Sequence, residues 1–321
     1  MRAKIIGTGS CVPPKIVTND DLSKLVDTND AWIRERTGIA ERRVSDEGTA
    51  TSDLALIAAE RALSAAGTSP EAIDLIIVCT CSPDTLFPST ACLIQNKLQA
   101  TKAAAFDLSA ACSGFNFGLT TAASFIESGK FKKILLVGSD TLTKYLDWTD
   151  RGTCILFGDG AGAVVLTATE KKDDGVLASL IRAEGHLGHH LTMPGGGSRD
   201  PEEKGGRFIK MNGKEVFKFA VRALETSVRD ILAQAGKAVA DIDLLIPHQA
   251  NLRIIEHVSK KMGLPKEKVY VNLQKYGNTS AGSIPIALDE ALTEGRLKSG
   301  DLLVLSGFGA GLTYGANIIQ W

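Results

Sequence analysis

Residues 61–80 read RALSAAGTSPEAIDLIIVCT, and residues 230–249 read DILAQAGKAVADIDLLIPHQ. At an offset of 169 positions Leu63 falls on Leu232, Gly67 on Gly236, and Ile73-Asp74-Leu75 on Ile242-Asp243-Leu244. The same offset carries KILLVG at 133–138 onto LLVLSG at 302–307. A period this long denotes a duplicated domain, because solenoid repeats run only about 20–50 residues. In each copy a helical apolar spacing (SDLALIAAE, VFKFAVRAL) leads to a glycine suited to a left-handed helix stop. The strands that follow (IIVC, LLI, ILLVG, LLVLSG) are unbroken apolar runs, as strands covered on both faces require. The reading is an α/β protein of two similar halves, 1–170 and 171–321.

Composition narrows the function classes. With 36 Lys and Arg against 37 Asp and Glu, the formal net charge of −1 makes no general case for nucleic-acid binding. The start, MRAKIIGTGS, holds only a brief apolar run, and no stretch has the length to span a membrane. A cytoplasmic protein is expected. The six cysteines are scattered and include no C-x-x-C, so reduced thiols are expected rather than a disulfide framework. Two segments interrupt the repeat. PGGGSRDPEEKGG at 194–206 reads as a surface loop. NDDLSKLVDTNDAWIRERTG at 19–38, in a stretch ending near Arg43, reads as an amphipathic helical insertion on the first half alone.

Cys112 follows AAFDL, a strand pattern, and precedes SGFNFGLTTAASFIE, a helix pattern. A sulfur at a helix N-terminus meets free N–H groups and the positive end of the dipole, which favour thiolate. The other five cysteines read as small buried side chains. The matching stretch of the second half, VYVNLQKYGNTSAGSIPIAL, puts Asn278 at the corresponding turn. His248, in LLIPHQAN, ends a repeated strand at the position equivalent to Cys79, where α/β sheets build sites. Alone, a strand-end His and a turn Asn are ordinary structural residues. The duplication brings them to the end of the fold that carries Cys112, as nucleophile, proton donor or acceptor, and neutral oxyanion donor. His186, His189 and His190 lack a suitably spaced carboxylate or cysteine, so no metal site is expected. GFGAGLTYGA at 307–316 and GDGAG at 158–162 do not fit the phosphate-loop patterns. Close backbone approach is their better account, the first being placed to aim an N–H at an acyl oxygen.

With these residues in place, WIRERTGI, DRGT, FGDGAGA, PHQANLRI, YGNTSA and GFGAGLTYGANII together make the chain resemble the 3-oxoacyl-acyl-carrier-protein synthase III family. These are the initiating condensing enzymes of dissociated (type II) fatty acid synthesis. The resemblance implies a thiolase-like fold, two pseudo-symmetric βαβαβ-type halves packed in αβαβα layers, and a homodimer. It implies an acyltransferase in which Cys112 takes an acyl group from acyl-CoA as a thioester. Malonyl-acyl-carrier protein then loses carbon dioxide, and its carbanion attacks that thioester. His248 and Asn278 would hydrogen-bond the malonyl thioester oxygen, and the backbone N–H groups of Cys112 and Ala310 would form the other oxyanion hole. Trp32 and Arg151 would sandwich the CoA adenine, with Arg36 and Asn251 also touching CoA. Gln249, Ala250, Asn251, Leu252 and Arg253, with Lys218, Lys260 and Lys261, would dock the acidic carrier protein. Phe87 would reach across the dimer to limit the partner's acyl pocket, which suggests a short starter such as acetyl. No tightly bound cofactor is implied. The ending LTYG, where many relatives have LTWG, is a mild departure. Two rivals are a starter-unit synthase of secondary metabolism and a Cys-His-Asn hydrolase, which leaves the duplication unexplained.

Overall fold

Both copies of the repeat stop a helix on a left-handed glycine, Gly67 at φ 55° and Gly236 at φ 64°. The computed structural model describes residues 1–321. The principal elements of the first half are β1 (Arg2–Cys11), α1 (Asp30–Thr37), α2 (Thr51–Ala65), β2 (Leu75–Cys79), β3 (Ala104–Leu108), α3 (Gly114–Glu127), β4 (Lys133–Asp140) and β5 (Gly160–Thr169). Those of the second half are β6 (Gly175–Ala183), α4 (Gly213–Gln234), β7 (Leu244–Pro247), α5 (Leu252–Met262), α6 (Ser283–Thr293), β8 (Leu302–Gly309) and β9 (Thr313–Gln320). The first sheet has the order β1-β5-β4-β2-β3, the second β7-β8-β9-β6. Register repeats with the sequence. Leu75 stands opposite Ile134 in one parallel pair, and Leu244 opposite Leu303 in the other.

Alternation along the buried strands builds the layers. Leu75, Ile77 and Cys79 of β2 point into a central cluster, whereas Ile76 and Val78 point to an outer one. The central cluster takes in Phe115, Leu119 and Ile126 of α3 and Ile284, Ala287 and Leu288 of α6, so these two helices lie between the sheets. Leu54, Ala58 and Ala62 of α2 cover the outer face of the first sheet. Phe219 and Leu224 of α4, with Ile255 and Val258 of α5, cover that of the second. The result is five layers, αβαβα.

The duplication is incomplete at one edge. The VYVN stretch, equivalent to β3, forms no strand and keeps a single bridge, Leu245 to Val269. The Gln249 side chain takes over the pairing, donating to Tyr270 O at 3.2 Å and accepting from Asn272 N at 3.0 Å. The insertion on the first half contains α1 and a short ribbon, Ile16–Thr18 against Glu41–Arg43. Arg42, fully buried, fastens it by donating to Val17 O, Asn19 Oδ1 and Ile155 O. Those bonds offset the desolvation of a guanidinium. Residues 194–206 carry neither helix nor strand, as expected of a loop.

Two single 3-10 turns, Ala111–Ser113 and Ser280–Gly282, precede α3 and α6. Ala111 and Ser280 occupy equivalent positions, and both are left-handed, at φ 46° and 52°. Non-glycine residues are strained there and persist only where packing holds them. Each turn presses on a strand of the opposite half. A Cβ on Gly138 of β4 would stand 2.2 Å from the Ala281 carbonyl oxygen, and one on Gly309 of β8 would stand 2.6 Å from Cys112 N. Gly309→Ala is therefore expected to destabilise the protein by about 1–3 kcal/mol in urea unfolding. Gly197→Ala, whose Cβ meets open space, should stay within about 0.5 kcal/mol of the parent. Equal stability of the two variants would contradict the packing described.

Candidate active site

The Cys112 thiol is buried on its turn at the start of α3. Burial pushes it up to about 12, as does the Asp140 charge; the Ser280 hydroxyl and the Asn278 side chain pull the other way. Resting Cys112 is therefore a neutral thiol and not the thiolate that a helix N-terminus alone would favour, because desolvation outweighs the dipole. His248 directly follows β7 and is equally buried. Its Nδ1 lies 2.6 Å from Ser283 Oγ, its ring stands edge-on to Phe308 at 5.3 Å, and its Nε2 has no partner. Burial pulls His248 down to about 3, so the imidazole is neutral at physiological pH. Asn278 N–H donates to Leu156 O at 2.8 Å, and its Oδ1 accepts from Ser280 N–H at 2.8 Å. That second bond fixes the amide orientation and leaves Nδ2–H for Cys112. Counted by the repeat, Ala281 is the equivalent of Cys112, and Asn278 precedes it by three residues in the same turn.

Cys112, His248 and Asn278 line one cavity of about 80 Å³, together with Phe308 and Gly309. A second cavity of about 90 Å³ opens beside the same sulfur. Its walls are almost wholly apolar, among them Leu142, Phe157, Leu191, Ile209 and Ala310. Cys81 lines it too, with Sγ 3.9 Å from Ser280 Oγ, so one of the five cysteines expected to be plain packing borders the site.

The two equivalent turns differ in one respect that matters chemically. Ala281 N–H donates to Asp140 Oδ2 at 3.3 Å. The other oxygen of Asp140 accepts from the Thr80 and Ser82 hydroxyls and from the Cys81 and Ser82 N–H groups. At the position equivalent to Asp140 the second half has Gly309. Cys112 N–H therefore meets no capping carboxylate, and neither it nor Ala310 N–H has an acceptor in the protein. Two unpaired backbone donors flank the Cys112 sulfur.

Around the mouth, the Arg36 and Arg151 guanidinium carbons lie 4.7 and 4.8 Å from the Trp32 ring centroid. Asn251 Nδ2 donates to Arg36 O at 3.1 Å, which joins these residues to the first cavity, where Asn251 and Ala250 stand. Arg253, Lys218, Lys260 and Lys261 are exposed on α4 and α5, while Leu252 is half-buried. Gln249 departs from expectation. It is 1 % exposed and spends its amide on the missing edge strand, so it presents nothing to a partner. Phe87 is 86 % exposed and lines neither cavity of its own chain. Ser280, Ser283, Asp140 and Gly309 were not singled out by the sequence. The repeat offset alone pairs Asp140 with Gly309, but nothing in it marks the two serines.

Models of 3-oxoacyl-[acyl-carrier-protein] synthase III match residues 106–185 and, for the C-terminal part of that family, 232–321. The beta-ketoacyl-[acyl-carrier-protein] synthase III of Natranaerobius thermophilus is 52 % identical over 99 % of both chains. This chain belongs to the 3-oxoacyl-[acyl-carrier-protein] synthase III family. The crystal structure of the synthase III from Aquifex aeolicus superposes with a TM-score of 0.94 at 50 % identity, covering 99 % of this chain and 100 % of that one. Its fold is the thiolase fold, as the αβαβα layers require. The priming beta-ketosynthase of the R1128 polyketide pathway shares that fold at a TM-score of 0.93 but only 35 % identity, over 99 % of this chain and 95 % of that one.

The buried neutral imidazole has a consequence for pH. An unfolded histidine takes a proton below about pH 6.5, whereas folded His248 stays neutral down to about 3. Between those values the unfolded state binds more protons, so the contribution of His248 to stability falls as pH falls. Urea unfolding from pH 7.5 to 4.5 should show a shallower loss for His248→Gln than for the parent. Parallel slopes would contradict the burial.

Proposed function

We propose that this chain starts type II fatty acid synthesis by moving a short acyl group, acetyl first, from acyl-CoA to Cys112 and condensing it with malonyl-acyl-carrier protein. One observation carries the reading, in a chain of this family. The Cys112 sulfur faces an apolar cavity sized for a short acyl chain on one side and the His248–Asn278 cavity on the other. The half at 1–170 supplies the nucleophile and its backbone N–H, and the half at 171–321 supplies His248, Asn278 and the Ala310 N–H.

In the first half-reaction Cys112 sulfur attacks the acyl-CoA carbonyl. Its proton passes to the departing CoA sulfur, and the helix start favours the negative charge that the cysteine sulfur carries meanwhile. The oxyanion takes hydrogen bonds from Cys112 N–H and Ala310 N–H, CoA leaves as its thiol, and the acyl chain lies against Leu142, Phe157 and Ile209. In the second, malonyl thioester oxygen sits between the His248 and Asn278 N–H donors. Its carboxylate departs as carbon dioxide, and the electron pair left behind resides in an enolate whose oxygen those donors hold. The carbanion carbon attacks the Cys112 thioester, the backbone hole again receives the oxyanion, and cysteine sulfur is expelled as a thiolate that takes a proton from water to restore the resting thiol. A preorganised donor of this kind lowers the barrier by about 3–4 kcal/mol. No step requires a bound cofactor.

CoA enters over Trp32, whose ring already attracts two guanidinium groups, with adenine held between Trp32 and Arg151. Arg36 and Asn251 stand beside that path. The carrier docks on Arg253, Lys218, Lys260 and Lys261, around Ala250, Asn251 and Leu252. Arg253 and Lys260 have no carboxylate partner, whereas Lys218 and Lys261 pair with Glu215 and Glu225. The exposed Phe87 closes the acyl pocket of a second copy in a homodimer, and the enzyme works in the cytoplasm. A starter-unit synthase of polyketide synthesis would use the same site, but the higher identity lies with the fatty-acid enzymes.

The division of labour is testable by separating the half-reactions. His248→Ala and Asn278→Ala are each expected to slow condensation by about 10²–10³-fold. Both should leave acylation of Cys112 by labelled acetyl-CoA within a few-fold of the parent. Variants that lose acylation first would refute the assignment.

A further inference from the structure

We propose that Ser283 is a positioning residue that sets the His248 tautomer, its hydroxyl donating to Nδ1 so that Nε2 carries the hydrogen facing the substrate cavity. The inference rests on the reading of His248 as an oxyanion donor. It follows from accounting for hydrogens in a closed space. Ser283 is the first residue of α6 and is buried. Its Oγ lies 2.6 Å from His248 Nδ1 and also accepts from the Gln249 backbone N–H at 3.4 Å. It has no other hydrogen-bond partner.

Of the two tautomers, one pairs every group between the ring and the helix, leaving only Nε2 open. If Nδ1 carried the hydrogen, Ser283 Oγ would receive two donors and its own hydroxyl hydrogen would find no acceptor. If Nδ1 is bare, the hydroxyl donates to it and Oγ accepts from Gln249. Buried polar groups are rarely left unpaired, and one unmade bond biases such an equilibrium by on the order of tenfold. Nε2, the buried atom without a partner, then bears the hydrogen and faces the cavity shared with Cys112 and Asn278. Phe308, edge-on to the ring, holds its plane.

The duplication supplies a control. His248 and Ser283 are equivalent to Cys79 and Gly114, where an added Cβ would lie 3.2 Å from Cys79 Cβ. In the first half this pair of positions is tight apolar packing, and in the second it has become a hydrogen-bonded polar pair. Asn278 follows the same logic, since Ser280 N–H on its Oδ1 leaves only N–H to point at the cavity.

The decisive experiment is ring 15N NMR of the full-length protein labelled at histidine, with His248 assigned through His248→Asn among only five histidines. A protonated, pyrrole-type Nε2 and a bare, pyridine-type Nδ1 between pH 6 and 8 are expected. A pyrrole-type Nδ1 overturns the proposal whether or not any variant folds. Groups that hold a catalytic imidazole in its tautomer can be worth up to about 10⁴ in rate. Ser283→Ala should thus slow condensation at least about tenfold, with acylation of Cys112 kept within about threefold. Ser283→Thr, which retains the hydroxyl, should recover most of the loss. Equal damage to both half-reactions without rescue by threonine would mark a purely structural role and overturn the proposal. Failure of the donor reading is seen separately, as His248→Ala that condenses normally.

Discussion

Each of the two equivalent turns rests on a strand of the opposite half. The turn with Cys112 presses on Gly309 of β8, and the turn with Asn278 and Ser280 presses on Gly138 of β4. Neither half can build its turn alone, because the left-handed residue at its start, Ala111 or Ser280, is held by packing from across the duplication. That reciprocal contact brings sulfur, imidazole and amide to one cavity. It also places Phe115, Leu119 and Ile126 of α3 and Ile284, Ala287 and Leu288 of α6 in one central cluster, since both helices run away from these turns between two sheets.

The same symmetry had to be broken for chemistry. In one half the turn amide of Ala281 is closed by Asp140, whose carboxylate gathers five donors. In the other, glycine stands in place of aspartate and leaves the Cys112 amide free. Burial keeps Cys112 and His248 uncharged at rest, raising the thiol and lowering the imidazole. In such a dry site, fixed N–H donors would meet a developing oxyanion without reorganisation, and hydrogen bonds are stronger than in water. The energetic burden is an unpaired Nε2 and two unpaired amides, groups a purely structural core would have satisfied.

The fold was legible because its evidence is long-range and redundant: glycine stops, strand runs and their register all recur at one offset. Cys112, His248 and Asn278 were legible because they fall at repeated element ends. Gln249 was misjudged for the opposite reason. Its neighbours in sequence face outward, but its amide replaces a strand that the second half lost, and only tertiary pairing reveals that. Cys81, Ser283 and Asp140 act through contacts with residues distant in the chain, for which cysteine, serine and aspartate at those positions give no periodic signal. Asp140 against Gly309 is the exception, readable from the repeat once the geometry says which residues to compare.

In the proposed reaction Cys112 carries the acyl group, and His248 with Asn278 discharges it. The most direct test is intact-protein and peptide mass spectrometry of a His248→Ala/Asn278→Ala double variant given acetyl-CoA, then malonyl-acyl-carrier protein. One acetyl group per chain, on the peptide containing Cys112 and retained after the malonyl carrier is added while the parent protein sheds it, is the predicted result. An acetyl group on any other residue, or discharge at the parent rate from the double variant, would contradict the account.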